Sequence, residues 1–298
     1  MRGRVVVLGS ANMDLVVRQP RWVRPGETMF GSHFSTGPGG KGLNQAVAAA
    51  RAGADVAFIG AVGSDDFGAR LADGLAAEGV DTTALRRVGA ATGIAQITVT
   101  DDGENAIVVV PGANAESALS DADRAAIDGA SHLVVQLERP HALLRTALAY
   151  ARDRGVTTVL TPAPVADESR ELIGLADILL PNEREAMELS GEATAEAAAN
   201  SLSRSAGTVV VTLGERGALV AQGGAVVATV QPRRVKAVDT TAAGDTFVGV
   251  LVAWLSSGED LAAALDAATA AAAIAVTRTG AADSMPARDE IDALLAAG

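Results

Sequence analysis

The residues best suited to chemistry lie in one short run, Asp239-Thr240-Thr241-Ala242-Ala243-Gly244-Asp245-Thr246-Phe247. Ala242, Ala243 and Gly244 are small enough for backbone to approach a ligand closely, and the apolar, helix-compatible residues 247–255 follow at once. That order predicts a helix N-terminus at the small residues. Unpaired N–H groups and the positive end of the helix dipole meet there and favour an anion such as phosphate. Asp245 falls in the same turn. A carboxylate would repel an anion, so it is a poor anion ligand, but it is a good general base for a hydroxyl that attacks phosphate. The nonapeptide also reads as a Thr- or Asp-capped helix behind a small-residue turn.

A second run, Gly37-Pro38-Gly39-Gly40-Lys41-Gly42-Leu43-Asn44-Gln45-Ala46, is a glycine-rich loop that enters a helix, with Leu43, Val47 and Ala50 at helical spacing. Lys41 and Asn44 are the polar groups it offers to a polyol. The run satisfies G-x-G-x-x-G, but a dinucleotide-binding loop should close a buried first strand, and Ser32-His33-Phe34-Ser35-Thr36 is not one. A phosphate-binding P-loop fails as well, because Gly42 follows Lys41 where Ser or Thr is required.

Continuous apolar runs at 5–8, 56–60, 133–137, 158–160, 178–180 and 209–213 alternate with helical patterns near 42–52, 66–78, 140–154, 183–190 and 194–206. Runs of that kind suit strands buried on both faces of a parallel sheet, and the alternation predicts a doubly wound α/β fold. Ligands of such folds bind beyond the C-terminal strand ends. Asn12 and Asp14, Glu138, Asn182 and Gly214 all follow strand candidates closely. Two segments, about 14–36 and 93–110, hold alternating runs without helices, and Asp101-Asp102-Gly103-Glu104 joins the second pair as a hairpin turn. They predict a small separate sheet. Residues 218–221 and 225–230, joined through Gly223-Gly224, predict a further hairpin.

The chain of 298 residues is 49% hydrophobic and 3% aromatic, so its core must be built from Ala, Val, Leu and Ile. A net charge of −12 argues against nucleic acid or an anionic membrane as partner. No cysteine is present, which excludes disulfides, thiolate catalysis and cysteine metal sites. No stretch reaches the roughly 18 apolar residues of a membrane span, and the apolar run after Met1-Arg2-Gly3-Arg4 is too short for a signal peptide. A cytoplasmic location is expected. His33, His132 and His141 show no metal-ligand spacing.

The two runs together resemble the signature motifs of the ribokinase-like (PfkB) carbohydrate kinase family. Gly9-Ser10-Ala11-Asn12-Met13-Asp14, Pro181-Asn182-Glu183-Arg184-Glu185 and Thr212-Leu213-Gly214-Glu215-Arg216-Gly217 are similar to further family motifs, in family order. Thr161-Pro162-Ala163-Pro164, Gly112-Ala113-Asn114-Ala115 and residues 272–278 resemble its ribose-phosphorylating members. The resemblance implies a single α/β domain over 1–298, with the 14–36 and 93–110 insertions as a lid that also forms a homodimer contact. It implies phosphate transfer from ATP to the primary hydroxyl of a sugar, D-ribose first, with deoxyribose, a ketohexose or a nucleoside as alternatives. A non-catalytic sugar-binding regulator on the same fold is opposed by the intact Asp245, Asn182 and Glu185.

The roles that follow are what the resemblance implies for the matching residues. Asp245 is the catalytic base, and Ala242, Ala243 and Gly244 supply the anion hole; the family usually has Gly where this chain has Ala242 or Ala243. Asn12, Asp14, Gly40, Lys41, Asn44 and Glu138 contact the sugar. Glu138 also reads as part of a helix start, because Pro140 follows it closely. Asn182, Thr212, Gly214, Glu215, Arg216, Gly217 and Gly244 face the nucleotide, and Thr269 stands where the family often has His or Asn near adenine. Asn182 and Glu185 hold Mg²⁺ through water. Asp239, Thr241, Ala275, Arg278, Gly280 and Ser284 match positions that bind K⁺, mostly through carbonyls.

Overall fold

A computed structural model describes residues 3–297. Met1 and Arg2, the start of the segment read against a signal peptide, and Gly298 lie outside the described residues. The elements begin with β1 (Arg4–Leu8), β2 (Asn12–Gln19), β3 (His33–Gly39), α1 (Lys41–Arg51), β4 (Asp55–Gly63), α2 (Asp66–Ala77) and β5 (Leu85–Val88). They continue with β6 (Gly93–Thr100), β7 (Asn105–Val110), α3 (Asp121–Asp128), β8 (Ala130–Gln136), α4 (His141–Arg152), β9 (Thr157–Thr161) and α5 (Arg170–Ile173). The remainder comprises β10 (Ile178–Leu179), α6 (Glu183–Ser190), α7 (Ala195–Leu202), β11 (Thr208–Thr212), β12 (Ala218–Gln222), β13 (Ala225–Val230), α8 (Ala243–Ser256), α9 (Leu261–Ala275) and α10 (Arg288–Ala297).

Nine strands form one sheet in the order β13-β12-β11-β10-β9-β8-β1-β4-β5. From β11 to β5 every neighbour is parallel, and β12 and β13 add an antiparallel edge. Each inner strand splits its side chains between two cores. Val5 and Val7, Val134, Val159 and Val210 face the layer that contains α1, α2, α8 and α9. Val6 and Leu8, Leu133 and Val135, Leu160, and Val209 and Val211 face α3, α4, α6 and α7. Both faces are therefore dry, which is why these strands read as unbroken apolar runs rather than as alternations. Buried alanines at 264, 267, 268, 270 and 271 let α9 lie close to α8, whose residues 245–254 are buried on every side.

The smaller sheet has the order β3-β2-β6-β7. Its strands run from Asn12 and end β3 at Gly39, so they take in residues of both the first motif and the glycine-rich loop. The hairpin at 101–104 closes as expected, with Gly103 at φ 87° and the Thr100 amide donating to the Glu104 carbonyl. The strand ahead of the glycine-rich loop is β3, an exposed strand of this smaller sheet, and not the buried first strand a dinucleotide loop requires. All six residues of β7 are exposed, and Phe30, beside this sheet in sequence, is 92% exposed. No helix among the described residues is long and apolar enough to cross a membrane.

Candidate active site

The small-residue turn is a helix N-terminus. Ala242 is the N-cap of α8 and takes the left-handed conformation, φ 57° and ψ 14°, the one non-glycine residue with positive φ among the described residues. Its carbonyl accepts the first helical bond from Thr246 at 2.8 Å. Neither Thr nor Asp caps this helix through a side chain, so the capped-helix alternative fails. The N–H groups of Gly244 and Asp245 meet no acceptor among the described residues. Gly244 is exposed and lines a cavity of about 240 Å³ together with Ala242, Ala243, Asp245 and Lys41.

Asp245, 8% exposed, faces α1. Its Oδ1 accepts from Gln45 Nε2 at 2.9 Å and its Oδ2 from Asn44 Nδ2 at 3.3 Å. Gln45 in turn accepts from Gln136 Nε2 at 2.6 Å. Burial raises the Asp245 carboxyl above the ordinary carboxylate range, while the Lys41 charge and the two amides pull it back. Sequence reasoning did not assign Gln45 or Gln136. The sequence held only the bare adjacency of Gln45 to Asn44 near the start of α1.

The proposed sugar residues converge around the start of α1. Gly40, at φ 93°, makes the turn that only glycine enters freely, and a side chain there would strike the Ser10 carbonyl. Glu138 is not part of a helix start, because α4 begins at His141. Its Oε2 instead accepts from the Lys41 backbone amide at 3.0 Å and from the Ser10 hydroxyl, which places a negative charge at the N-terminus of α1. Asn12 is the first residue of β2. It is 2% exposed and accepts from Asn114 Nδ2 at 2.8 Å, and Asn114 also bonds both backbone groups of Ala11. Asp14 packs its carboxylate against Gly39, where a Cβ would come within 2.2 Å. Burial and the nearby Glu138 charge push the Asp14 carboxyl up to about 6. Burial alone would lower the Lys41 ammonium, but the carboxylates of Asp245, Glu138 and Glu185 outweigh it and raise it. Lys41 forms no salt bridge among the described residues.

Asn182 and Glu185 form a reciprocal capping box on α6, with each side chain 2.9 Å from the other's backbone amide. Both also line the cavity, as does Thr212, which bridges to Asn182. Burial raises the Glu185 carboxyl. Residues Gly214–Arg216 form one 3₁₀ turn that starts on a positive-φ glycine, Gly214, and is followed by another, Gly217, and Arg216 pairs with Glu183. Glu215 is exposed on the same turn. Thr269 lies on α9, its hydroxyl donating to the Leu265 carbonyl of its own helix at 2.8 Å, and it does not line the cavity.

Asp239 ties two loops together. Its Oδ1 accepts from the Thr241 amide and hydroxyl at 2.9 and 2.6 Å, and its Oδ2 from the Gly280 amide at 3.0 Å. Burial would raise this carboxyl, but these donors outweigh it and hold it below its ordinary value. The Ala275 carbonyl accepts from the Arg278 amide, Arg278 pairs with Glu290, and Ser284 is buried with its hydroxyl on the Ala281 carbonyl. No cluster of three or more His, Cys, Asp or Glu able to hold a metal occurs among the described residues.

Comparison with known proteins places this geometry in context. The profile of the pfkB family carbohydrate kinases matches residues 2–288. Ribokinase of Haemophilus influenzae is 42% identical over 301 aligned positions, covering 97% of each chain. A crystal structure of ribokinase from Thermotoga maritima superposes with a TM-score of 0.92 at 36% identity, covering 99% of both chains. Arabidopsis thaliana ribokinase, solved with ribose and ATP, superposes at 0.91 with 31% identity, again over 99% of both chains. With the match running nearly end to end, the chain belongs to the pfkB family of carbohydrate kinases.

Proposed function

We propose that this protein is an ATP-dependent sugar kinase that converts D-ribose to D-ribose 5-phosphate. The observation that carries the proposal is the buried Asp245 carboxylate in the first turn of α8, beside unpaired N–H groups and in one cavity with Lys41. The ribose O5 hydroxyl attacks the γ-phosphorus, the bond from that phosphorus to the β,γ-bridging oxygen breaks, and the hydroxyl proton passes to Asp245. Lys41 and the N–H groups near Gly244 offset the charge that spreads over the transferred group. Asn12, Asp14, Gly40, Lys41, Asn44 and Glu138 bind the sugar. Carboxylates and amides suit this task because each hydroxyl both donates and accepts.

The nucleotide lies along Asn182, Thr212 and Gly214–Arg216. The cavity concentrates negative charge from Asp245 and Glu185 against one ammonium, so a triphosphate needs a cation with it. Asn182 and Glu185 can each offer a side-chain oxygen, which fits Mg²⁺ held through water. Mg²⁺ would neutralise phosphate charge and fix the leaving oxygens. K⁺ is assigned to the loops that Asp239 joins, because a carboxylate with nearby carbonyls suits a monovalent cation. The smaller sheet acts as a lid that keeps water from the phosphate. The exposed apolar residues 107–110 of β7 support a homodimer through that lid. A cytoplasmic location follows from ATP as donor.

The test is ADP release with ATP and a panel of ribose, deoxyribose, a ketohexose and nucleosides, with and without Mg²⁺ and K⁺. Ribose is expected to give the highest kcat/KM. Another acceptor ahead of ribose would replace the substrate, and no ADP with any acceptor would remove the kinase.

A further inference from the structure

Two buried amides behind Asp245 have no part in the scheme above. We propose that Gln45 and Gln136 are positioning residues for phosphate transfer, a relay that fixes which oxygen of Asp245 receives the proton. The proposal rests on the reading of Asp245 as base.

The relay has one workable polarity. Gln136 donates through Nε2 to Gln45 Oε1 at 2.6 Å, and Gln45 donates through Nε2 to Asp245 Oδ1 at 2.9 Å. Turning Gln136 over would set two carbonyl oxygens against each other. Turning Gln45 over would set its carbonyl against a carboxylate. Neither is tolerated in a dry interior, and both side chains are 1% exposed or less. Gln136 Oε1 has no hydrogen-bond partner among the described residues and packs on Gly9, where a Cβ would come within 2.3 Å of it. A side chain that leaves one of its own atoms unsatisfied in order to donate from the other is oriented at a cost; here the cost is borne at Gly9 and the donation goes to the Asp245 side of the chain.

The backbone that carries Gln45 is fixed as well. A Cβ at Gly249 on α8 would lie 2.6 Å from the Gln45 carbonyl, so the two helices meet here with no slack. Oδ1 of Asp245 is then occupied by the shorter bond. Oδ2, with only the 3.3 Å contact from Asn44, is the oxygen left to accept the hydroxyl proton.

The test uses Gln45→Met and Gln136→Met, which keep volume and remove the donor, each alone and combined with Asp245→Asn. Loss of one charge-assisted hydrogen bond on the base predicts a fall in kcat of about tenfold for Gln45→Met and severalfold for Gln136→Met, with KM for ribose and ATP unchanged. In the Asp245→Asn background neither change should lower single-turnover phosphate transfer further. A purely structural role would leave kcat intact in the folded fraction, or raise KM in step, or cost the same in both backgrounds. Any of these overturns the relay. Should thermal melts show a Met variant unfolded, Gln136→Asn shortens the donor by one methylene and keeps an amide in the core. Wild-type kcat there also overturns the relay. Retained turnover in Asp245→Asn alone would instead sink the base, a separate and distinguishable failure.

Discussion

Replacing Asp245 by Asn should raise stability while it removes turnover. The new amide fits the existing hydrogen bonds. Its oxygen keeps the bond from Gln45 Nε2, and its NH₂ group meets Asn44, whose Oδ1 has no partner among the described residues and turns to accept it. The fold therefore has no reason to fail. Stability moves the other way from activity because burial raises the Asp245 carboxyl. A raised carboxyl means that, above its unfolded value of about 3.9, the folded state holds a proton the unfolded state has released. Stability falls as pH rises through that window, and above it the wild type carries a buried charge that the amide lacks. The variant should melt at or above the wild-type temperature at pH 8, and the difference should shrink towards pH 4. Turnover loses a general base, a factor of about 10² to 10⁴, equivalent to about 2.7–5.5 kcal/mol of transition-state stabilisation. Coupled ADP release and melts across pH measure both. Turnover within tenfold of wild type, or a melting advantage that grows at low pH, would refute the reasoning.

Asp14, pushed up to about 6, should protonate as pH falls through that value, so KM for ribose should rise below pH 6 in initial-rate profiles and Asp14→Asn should flatten the rise. Ala242→Gly removes the left-handed alanine, and after the greater chain entropy of glycine is subtracted it should stabilise by about 0.5–1 kcal/mol, read as a higher melting temperature. Gly249→Ala forces a methyl group into Ala48 and the Gln45 carbonyl, so it should destabilise by about 1–3 kcal/mol in urea titrations and lower kcat along with stability.

The parallel sheet was legible because Val5 to Leu8 and their counterparts are buried from both sides, and such strands leave an unbroken apolar signature. The 101–104 hairpin was legible from its Asp-Gly chemistry. Strand β5, Leu85-Arg86-Arg87-Val88, left no such mark, because it is an edge strand with charged side chains. At the site, the N-terminus of α8 was readable from three small residues, whereas the left-handed turn at Ala242 was not, since alanine gives no hint of positive φ. Glu138 shows the main limit. Proline two residues later points to a helix start, but the carboxylate serves a different helix, 97 residues earlier in the chain. The pairing of Gln45 with Gln136 likewise depends on β8 ending beside α1, a tertiary fact that spacing does not encode.

The passages between the two sheets have a mechanical consequence. Only Gly9, Ser10 and Ala11 separate β1 from β2, and only Gly40 separates β3 from α1. Gly93, the first residue of β6, is wedged between Asn12 and Asn114. Any tilt of the outer sheet therefore pivots on the residues assigned to the sugar and not on a remote joint. In such a tilt the groups nearest the pivot would travel least. A bound sugar that braces Asn12 and Asp14 against Lys41 would act on the shortest lever arm of the molecule, so small differences in its hydroxyls would be magnified at the rim.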